Sequence, residues 1–449
     1  METLGAFIYN KHCMDEVIVA LATPPLKSAL AIVRASGEDC LKILEEIYTA
    51  KLDLSKDKQV YFGYIKDEEE TIDQCVVIVY TKPHGYTGEN ACEIMCHGSV
   101  NIANRIIEAF IKRGARLAER GEFSERAYLN NKIDLMQAEA VNDLIDAKTK
   151  EAQNLALLGL KGDNSKLVKP LRNKLADLLA LLEVNIDFPE YEDIEVANVD
   201  KIIKEAKKMI NLIDNLVQDG LKAKIIIEGV KVMLIGHTNV GKSSLLNALL
   251  NEEKAIVTSI EGTTRDIVDG EMNYQGVTFH FYDTAGLREN TSEIELIGIK
   301  KAKKLMKEMD YIVYVLDDIN QEEPLHIDKK KIIKVVNKSE LVKNRNKDYI
   351  YVSAKKRDVK PLLDELMKRL NLEKDNFKNP SINNARAIAL LNKTKYALKQ
   401  VIKDATLNLP IDIISVSLQE AYACVLAILG EDHDQGYEEE IFSRFCVGK

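Results

Sequence analysis

Cysteine is scarce in this 449-residue chain. The seven, at positions 13, 40, 75, 92, 96, 424 and 446, are odd in number and scattered, which argues against a disulfide framework. Long apolar runs are lacking too. The longest, such as residues 421–429, reach about half of the ~20 residues that a membrane-crossing helix needs, so no membrane insertion is expected. Residues 1–13 carry Lys11 and His12 but neither the apolar stretch nor the small-residue cleavage pattern of a secretion signal, and a cytoplasmic location is the expectation. Positive charge is in deficit: the net charge is −9. General attraction to nucleic acid or to an anionic membrane is thereby excluded, so any contact with RNA is local or shared with a partner.

The length is about three times the ~150 residues of an average domain, and the apolar share of 46% is ordinary for globular proteins. From 15 to 118, short β-like runs alternate with helical ones at 40–48 and 100–113, the pattern of an α+β domain. Cys92-x3-Cys96-His97 has a spacing that metal ligands can use. Read as a strand, however, 91–97 puts Cys92, Ile94 and Cys96 on one buried face. From Leu135 to about 184, and again from Ile202 to 217, apolar residues recur at helical spacing, with breaks near Gly162 and Pro189. Pro170 is expected in a first helical turn, where a missing N–H costs little. From Val230 strand-like runs alternate with helices, as a doubly wound, mostly parallel sheet requires, and after Asn371 the helical pattern returns. The division expected is therefore 1–120 as an α+β domain, 121–227 and 373–449 as two segments of one helical domain, and 228–372 as an α/β domain inserted between them.

The inserted segment carries the chemistry. A strand-like run leads into Gly236-His237-Thr238-Asn239-Val240-Gly241-Lys242-Ser243-Ser244 and then into a helical pattern. This is the G-x-x-x-x-G-K-[ST] phosphate loop in its strand–loop–helix context. Its glycines let backbone N–H groups curl around a phosphate, Lys242 neutralises phosphate oxygens and Ser243 ligates Mg²⁺. Four more segments follow in G-domain order. Thr263-Thr264 offers a hydroxyl that senses the γ-phosphate through Mg²⁺, and Asp283-Thr284-Ala285-Gly286 ends a strand with a carboxylate and a backbone N–H. Asn337-Lys338-Ser339-Glu340 presents an acidic residue to the guanine edge, and Ser353-Ala354-Lys355 presents a backbone N–H to its O6. Together the five segments make GTP, and not ATP, the expected ligand. Two positions depart from the common pattern. Glu340 stands where Asp is usual, one methylene longer. Leu287 stands where small Ras-like switches carry a water-positioning Gln, so another group must orient water, with Arg288, Glu289, Glu293 and Glu295 as candidates.

Beyond the G-domain segments, Ala22-Thr23-Pro24-Pro25, Ala31-Ile32-Val33-Arg34, the run GEFSERAYLNNK from Gly121 to Lys132, Ile186-Asp187-Phe188-Pro189 and the terminal run IFSRFCVGK from Ile441 to Lys449 occur in order. With Asp283–Glu289 they resemble, over nearly the full chain, the MnmE (TrmE) family of tRNA-modification GTPases. The resemblance implies a cytoplasmic homodimer with an N-terminal folate-binding domain, a helical domain and an inserted G-domain. It implies a flavin-dependent partner, MnmG (GidA), joined in a heterotetramer. With that partner such proteins install an aminomethyl or carboxymethylaminomethyl group at C5 of the tRNA wobble uridine, using a 5-formyl or 5,10-methylene tetrahydrofolate. It further implies K⁺ in place of an arginine finger. The K⁺ would be held by Asn239 and the loop Thr258-Ser259-Ile260-Glu261-Gly262-Thr263-Thr264, with oxygens of Thr258, Ile260 and Thr263 as ligands. Glu295 is implied as the water-orienting carboxylate, Arg34, Glu93, Lys132 and Lys449 as folate contacts, and Cys446 as either a reactive thiol or a packing residue. The chain departs from the family at Leu26-Lys27-Ser28-Ala29-Leu30, where a glycine-rich stretch is common, and at His237-Thr238, where Arg-Pro is common. Residues 1–13 precede the usual start, and Met14-Asp15 resembles an initiation site. A ribosome-assembly GTPase shares the G-domain but carries a basic RNA-binding module, which this acidic chain does not match, and a scaffold that binds GTP without turnover is permitted by Leu287.

Overall fold

The computed structural model describes residues 16–187, 199–237, 239–251, 270–283, 305–317, 330–342, 344–431, 445, 446 and 448. The chain divides into two compact units, residues 1–142 with 426–449, and residues 143–425.

The first unit runs through β1 (Ile18–Leu21), β2 (Leu30–Ser36), α1 (Cys40–Ile47), β3 (Gln59–Asp67), β4 (Glu70–Tyr80), β5 (Ala91–His97), α2 (Val100–Ile111), β6 (Arg116–Leu117), α3 (Glu122–Leu129) and much of α4 (Leu135–Asp146). The strands form one sheet in the order β3-β4-β5-β2-β1-β6, antiparallel except between β1 and β6. Alternation along the strands assigns the faces. Ala31, Val33 and Ala35 of β2 and Cys92, Ile94 and Cys96 of β5 form one core with Leu41, Leu44 and Ile47 of α1 and with Ile106 and Phe110 of α2. Cys92 and Cys96 are thus buried core residues, and no cluster of His, Cys, Asp and Glu able to hold a metal occurs among the described residues. The other face carries Arg34 and Glu93, which are direct partners in the β2–β5 register.

The second unit contains α5 (Lys150–Leu160), α6 (Asp163–Asp187), α7 (Val199–Glu228), β7 (Val230–Gly236), α8 (Lys242–Leu250), β8 (Gly270–Tyr274), β9 (Val277–Asp283), β10 (Tyr311–Leu316), β11 (Ile332–Val336), β12 (Ile350–Tyr351), α9 (Lys360–Leu370), α10 (Ala385–Thr406) and most of α11 (Ile411–Leu429). Its sheet has the order β12-β11-β10-β7-β9-β8 and is parallel except for β8 against β9. Both faces are covered, as a doubly wound sheet requires. Val230, Val232 and Leu234 pack with Leu245 and Leu249 of α8 and Leu362 and Leu366 of α9. Met233 and Ile235 enter a second core with Ile312, Tyr314 and Leu316.

The helical pattern from 135 to 187 is interrupted twice. Gly162 precedes α6, and a further break at 147–149 ends in Thr149, whose hydroxyl accepts the Ala152 N–H at 3.1 Å and caps α5. Pro170 lies inside α6 and not in its first turn. Its ring removes one amide donor, but the buried stripe of Val168, Leu171, Leu175 and Leu178 holds the helix together through it. Among the described residues α11 is the one helix long and apolar enough to cross a membrane. Ile414, Leu418, Ala421, Val425 and Ile428, at the three-to-four spacing of one helix face, are nevertheless fully buried within the protein.

Arg126 of α3 is only 2% exposed and is held by ion pairs to Glu89 at 3.1 Å and Glu122 at 3.0 Å. Burial pushes the Glu122 carboxyl up, but the hydrogen bonds from Arg116 and the Glu119 N–H, with the Arg126 charge, bring it below the usual carboxylate range. Its contribution to stability is therefore present above the unfolded-chain value and is lost as pH falls through the lowered one. Removing one partner of such a buried group costs about 3–5 kcal/mol. We expect Arg126→Met to lose stability on that scale in chemical denaturation, with the gap between mutant and wild type closing in acid; a loss below about 1 kcal/mol at neutral pH contradicts this.

Candidate functional site

The central strand β7 ends at Gly236, with β9 on one side and β10 on the other. At that point in an open α/β sheet, ligands bind beyond the carboxyl ends of the strands. The chain turns through Asn239, Val240 and Gly241 into α8. Gly241 has a φ of +91°, and a Cβ there would lie 2.5 Å from the Asn337 side-chain nitrogen, so any side chain there is strained and displaces Asn337. Lys242 is 9% exposed, and its ammonium donates to the carbonyls of Gly236 at 3.1 Å and His237 at 2.9 Å. That holds its charge over the loop. Ser243 and Ser244, in the first turn of α8, are exposed.

Parallel pairing of β7 with β9 places Asp283 opposite Leu234. From there its carboxylate accepts the Ser243 hydroxyl at 2.9 Å. A hydroxyl and a carboxylate side by side at a helix N-terminus suit a hard, oxygen-seeking cation such as Mg²⁺.

Asn337 follows β11 and is 2% exposed. Its Nδ2 donates to the carbonyl of Val240 at 3.0 Å, and its Oδ1 accepts the N–H of Ala354 at 3.2 Å. One carboxamide thus joins the phosphate loop, the Asn337–Glu340 turn and the Ser353–Lys355 turn. Lys338, in the left-handed region at φ +57°, reaches Asn239 O at 3.4 Å and Asp317 at 3.3 Å. The Ser339 N–H donates to Val352 O at 3.0 Å. Glu340 is exposed, and the Ser353 hydroxyl holds its carboxyl below the usual carboxylate range, with Lys356 and Lys355 adding to the effect. Lys355 is exposed. The bracing role of Asn337 and the Asp317 partner of Lys338 are long-range features that the local motif did not reveal.

In the first unit, Arg34 donates to Glu93 Oε1 from Nε at 3.0 Å and from Nη2 at 2.7 Å, and from Nη1 to the Gly448 carbonyl at 3.0 Å. Its guanidinium lies 5.9 Å from the ring centre of Tyr86 and 5.7 Å from that of Phe123, within cation–π range. No local motif marks Tyr86 in the sequence, and Phe123 lies inside the GEFSERAYLNNK run. Lys132 is exposed and anchors to the Pro83 carbonyl at 2.9 Å, in the loop that supplies Tyr86. Cys446 is exposed, and its carbonyl accepts the Gly121 N–H at 3.4 Å. Phe445 is buried with Tyr128, Leu135 and Ala138. Thr258, Ser259, Ile260, Glu261, Gly262, Thr263, Thr264, Thr284, Ala285, Gly286, Leu287, Arg288, Glu289, Glu293, Glu295 and Lys449 lie outside the described residues.

A phosphate loop at the central strand, a Ser–Asp pair for a cation and a braced Asn-Lys turn make the second unit the home of a P-loop nucleotide domain of the GTPase class. A family model described as the MnmE helical domain matches residues 135–446, and one described as GTP-binding protein TrmE N-terminus matches residues 17–132. The tRNA modification GTPase MnmE of Mesoplasma florum is 37% identical over 452 residues, covering 97% of this chain and 99% of its own. That of Lactococcus lactis subsp. cremoris strain MG1363 is 38% identical over 448 residues, covering 97% and 98%. Among solved structures, the FeoB G-domain of Methanococcus jannaschii is 22% identical over 32% of this chain and 98% of its own, at a TM-score of 0.23 that carries no weight. The chain belongs to the MnmE family of tRNA modification GTPases.

Asn337→Ala removes a donor from one loop and an acceptor from another, at about 1–3 kcal/mol for the buried groups left unpaired. The expected result is a parallel weakening of GDP and GTP binding by calorimetric titration, about tenfold or more. Unchanged affinity for both contradicts the bracing role.

Proposed function

We propose that this protein hydrolyses GTP in the service of tRNA wobble-uridine modification. The observation that carries this reading is the likeness to MnmE along almost the whole chain, joined to a phosphate loop with the Ser243–Asp283 pair. The G-domain is 228–372, inserted between helical segments 121–227 and 373–449, with an N-terminal domain over 1–120. Ser243 and Thr264 hold Mg²⁺, with Asp283 orienting Ser243. K⁺ supplies the charge of an arginine finger, held by Asn239, Thr258, Ile260 and Thr263, and Glu295 orients the water because Leu287 has no hydrogen-bonding group.

In the first unit, a tetrahydrofolate carrying a formyl or methylene group supplies the one-carbon unit. Support for its site comes from the face of the sheet that carries Arg34 and Glu93, with Tyr86 and Phe123 beside them. Flat aromatic ligands and their carboxylate tails suit rings and guanidinium groups. Lys132 and Lys449 add charge, and Cys446 stands exposed on the same tail as Gly448. Homodimerisation is supported by the edge strand β3, where Val60, Phe62 and Tyr64, on one face, are 64%, 68% and 46% exposed. A flavin-dependent MnmG-type partner completes the modification in the cytoplasm.

Two measurements test the reading. Nucleoside analysis of tRNA from cells lacking the gene is expected to show loss of the C5-aminomethyl-type wobble uridine; fully modified tRNA with defective ribosomal particles contradicts it and favours a ribosome-assembly switch. GTP turnover is expected to be at least about tenfold faster in potassium than in sodium at equal ionic strength, a modest share of the 10³–10⁵ that an arginine finger supplies. Equal rates overturn the potassium assignment.

A further inference from the structure

β8 and β9 form a hairpin with its turn at Gln275-Gly276. β9 ends at Asp283, whose carboxylate meets Ser243. The same hairpin is fastened to the helices at several points. Glu271 of β8 accepts two hydrogen bonds from the Lys148 ammonium, at 2.6 and 2.7 Å, and Lys148 lies in the break between α4 and α5. The Asn273 side chain donates to the Lys148 carbonyl at 3.1 Å. On β9, the two ring nitrogens of His280 lie 3.0 Å from Glu271 Oε1 and 3.0 Å from the carbonyl of Glu228, the last residue of α7. Burial pushes the Glu271 carboxyl up, but Lys148 and His280 hold it below the usual carboxylate range, so it meets Lys148 as a carboxylate.

The chain also crosses from α7 into β7 directly beneath this hairpin. Gly229 has a φ of +82°, and a Cβ there would lie 2.5 Å from the His280 ring nitrogen and 2.7 Å from the Thr278 carbonyl. Glu271 and His280 are cross-strand partners. His280 and Asp283 are three residue steps apart on β9, about 10 Å of strand at ~3.3 Å per residue. β9 is paired with β7 from Phe279 to Asp283 and with β8 as far as Phe281, and a paired strand transmits displacement along its length, since bending it breaks ladder hydrogen bonds.

We propose that Lys148, Glu271 and His280 are positioning residues that couple the nucleotide site to the helices, with the β8–β9 hairpin as the lever between Asp283 and the α4–α5 break. Movement of Asp283 with the state of the nucleotide is carried along β9 and delivered to Lys148 and to the end of α7. This rests on the GTPase reading above. None of the three residues touches the phosphate loop, so none is a catalytic residue.

The test is hydrogen exchange on the full chain at residues 148–152 and 225–229, with GDP and with a non-hydrolysable GTP analogue, no tRNA being present. In the wild type, protection there is expected to differ by at least about threefold between the two nucleotides. In Glu271→Gln and Lys148→Ala that difference is expected to vanish while GTP turnover stays within about threefold of wild type, and Lys148→Arg is expected to restore it. Persistence of the difference in both variants overturns the coupling, as does its absence from a wild type that turns over GTP. Turnover missing from the wild type itself overturns the GTPase reading instead. Glu271→Gln preserves side-chain size, so the outcome does not depend on whether Lys148→Ala folds.

Discussion

The nucleotide site depends on one buried carboxamide. The backbone of a phosphate loop is useful only if its N–H groups converge, and a loop with glycines at 236 and 241 has little intrinsic reason to stay in one shape. Asn337 supplies the constraint by donating to Val240 and accepting from Ala354. Three turns that are remote in sequence become one rigid rim. Lys338, bridging Asn239 and Asp317, extends the same fastening toward β10. The polar groups Lys242, Ser243 and Asp283 then project from a surface that is already set, the condition under which electrostatic stabilisation costs least reorganisation.

The first unit solves a similar problem with a guanidinium. Arg34 is satisfied by Glu93 across the β2–β5 ladder and by the Gly448 carbonyl, 414 positions away in the chain. The tail is thereby fixed against the face of the sheet opposite its main core, beside the small cluster of Ile18, Ala20, Ala118 and Phe123. Phe445 seals it from the apolar side. Two hydrogen-bonded clusters thus reside on two compact units, each organised by a side chain that makes hydrogen bonds to backbone far away in sequence.

Much of this was legible in the sequence, and what was not has physical causes. The strands of the second sheet stand out because they are short runs of β-branched and aromatic residues buried on both faces, and the phosphate loop stands out because its spacing serves backbone geometry. β8 escaped notice because Gly270-Glu271-Met272-Asn273-Tyr274 buries only alternate residues in a sheet edge. The break at 147–149 rests on one threonine cap, which looks like any other threonine until its partner is known. Pro170 was misplaced because tertiary packing along α6 outweighs the local loss of one donor. Asn337 belonged to a recognised segment, yet its bracing contacts lie 97 and 17 positions away. No local pattern encodes them.

A double-mutant cycle between Gly241→Ala and Asn337→Ala, read as GDP affinity, tests the bracing claim most directly. The added Cβ would lie 2.5 Å from the Asn337 nitrogen, so the penalty at 241 shrinks once the carboxamide is gone, leaving only the strain of φ +91°. The account predicts losses that fall short of additive by about 1 kcal/mol or more; losses additive to within ~0.5 kcal/mol would contradict it.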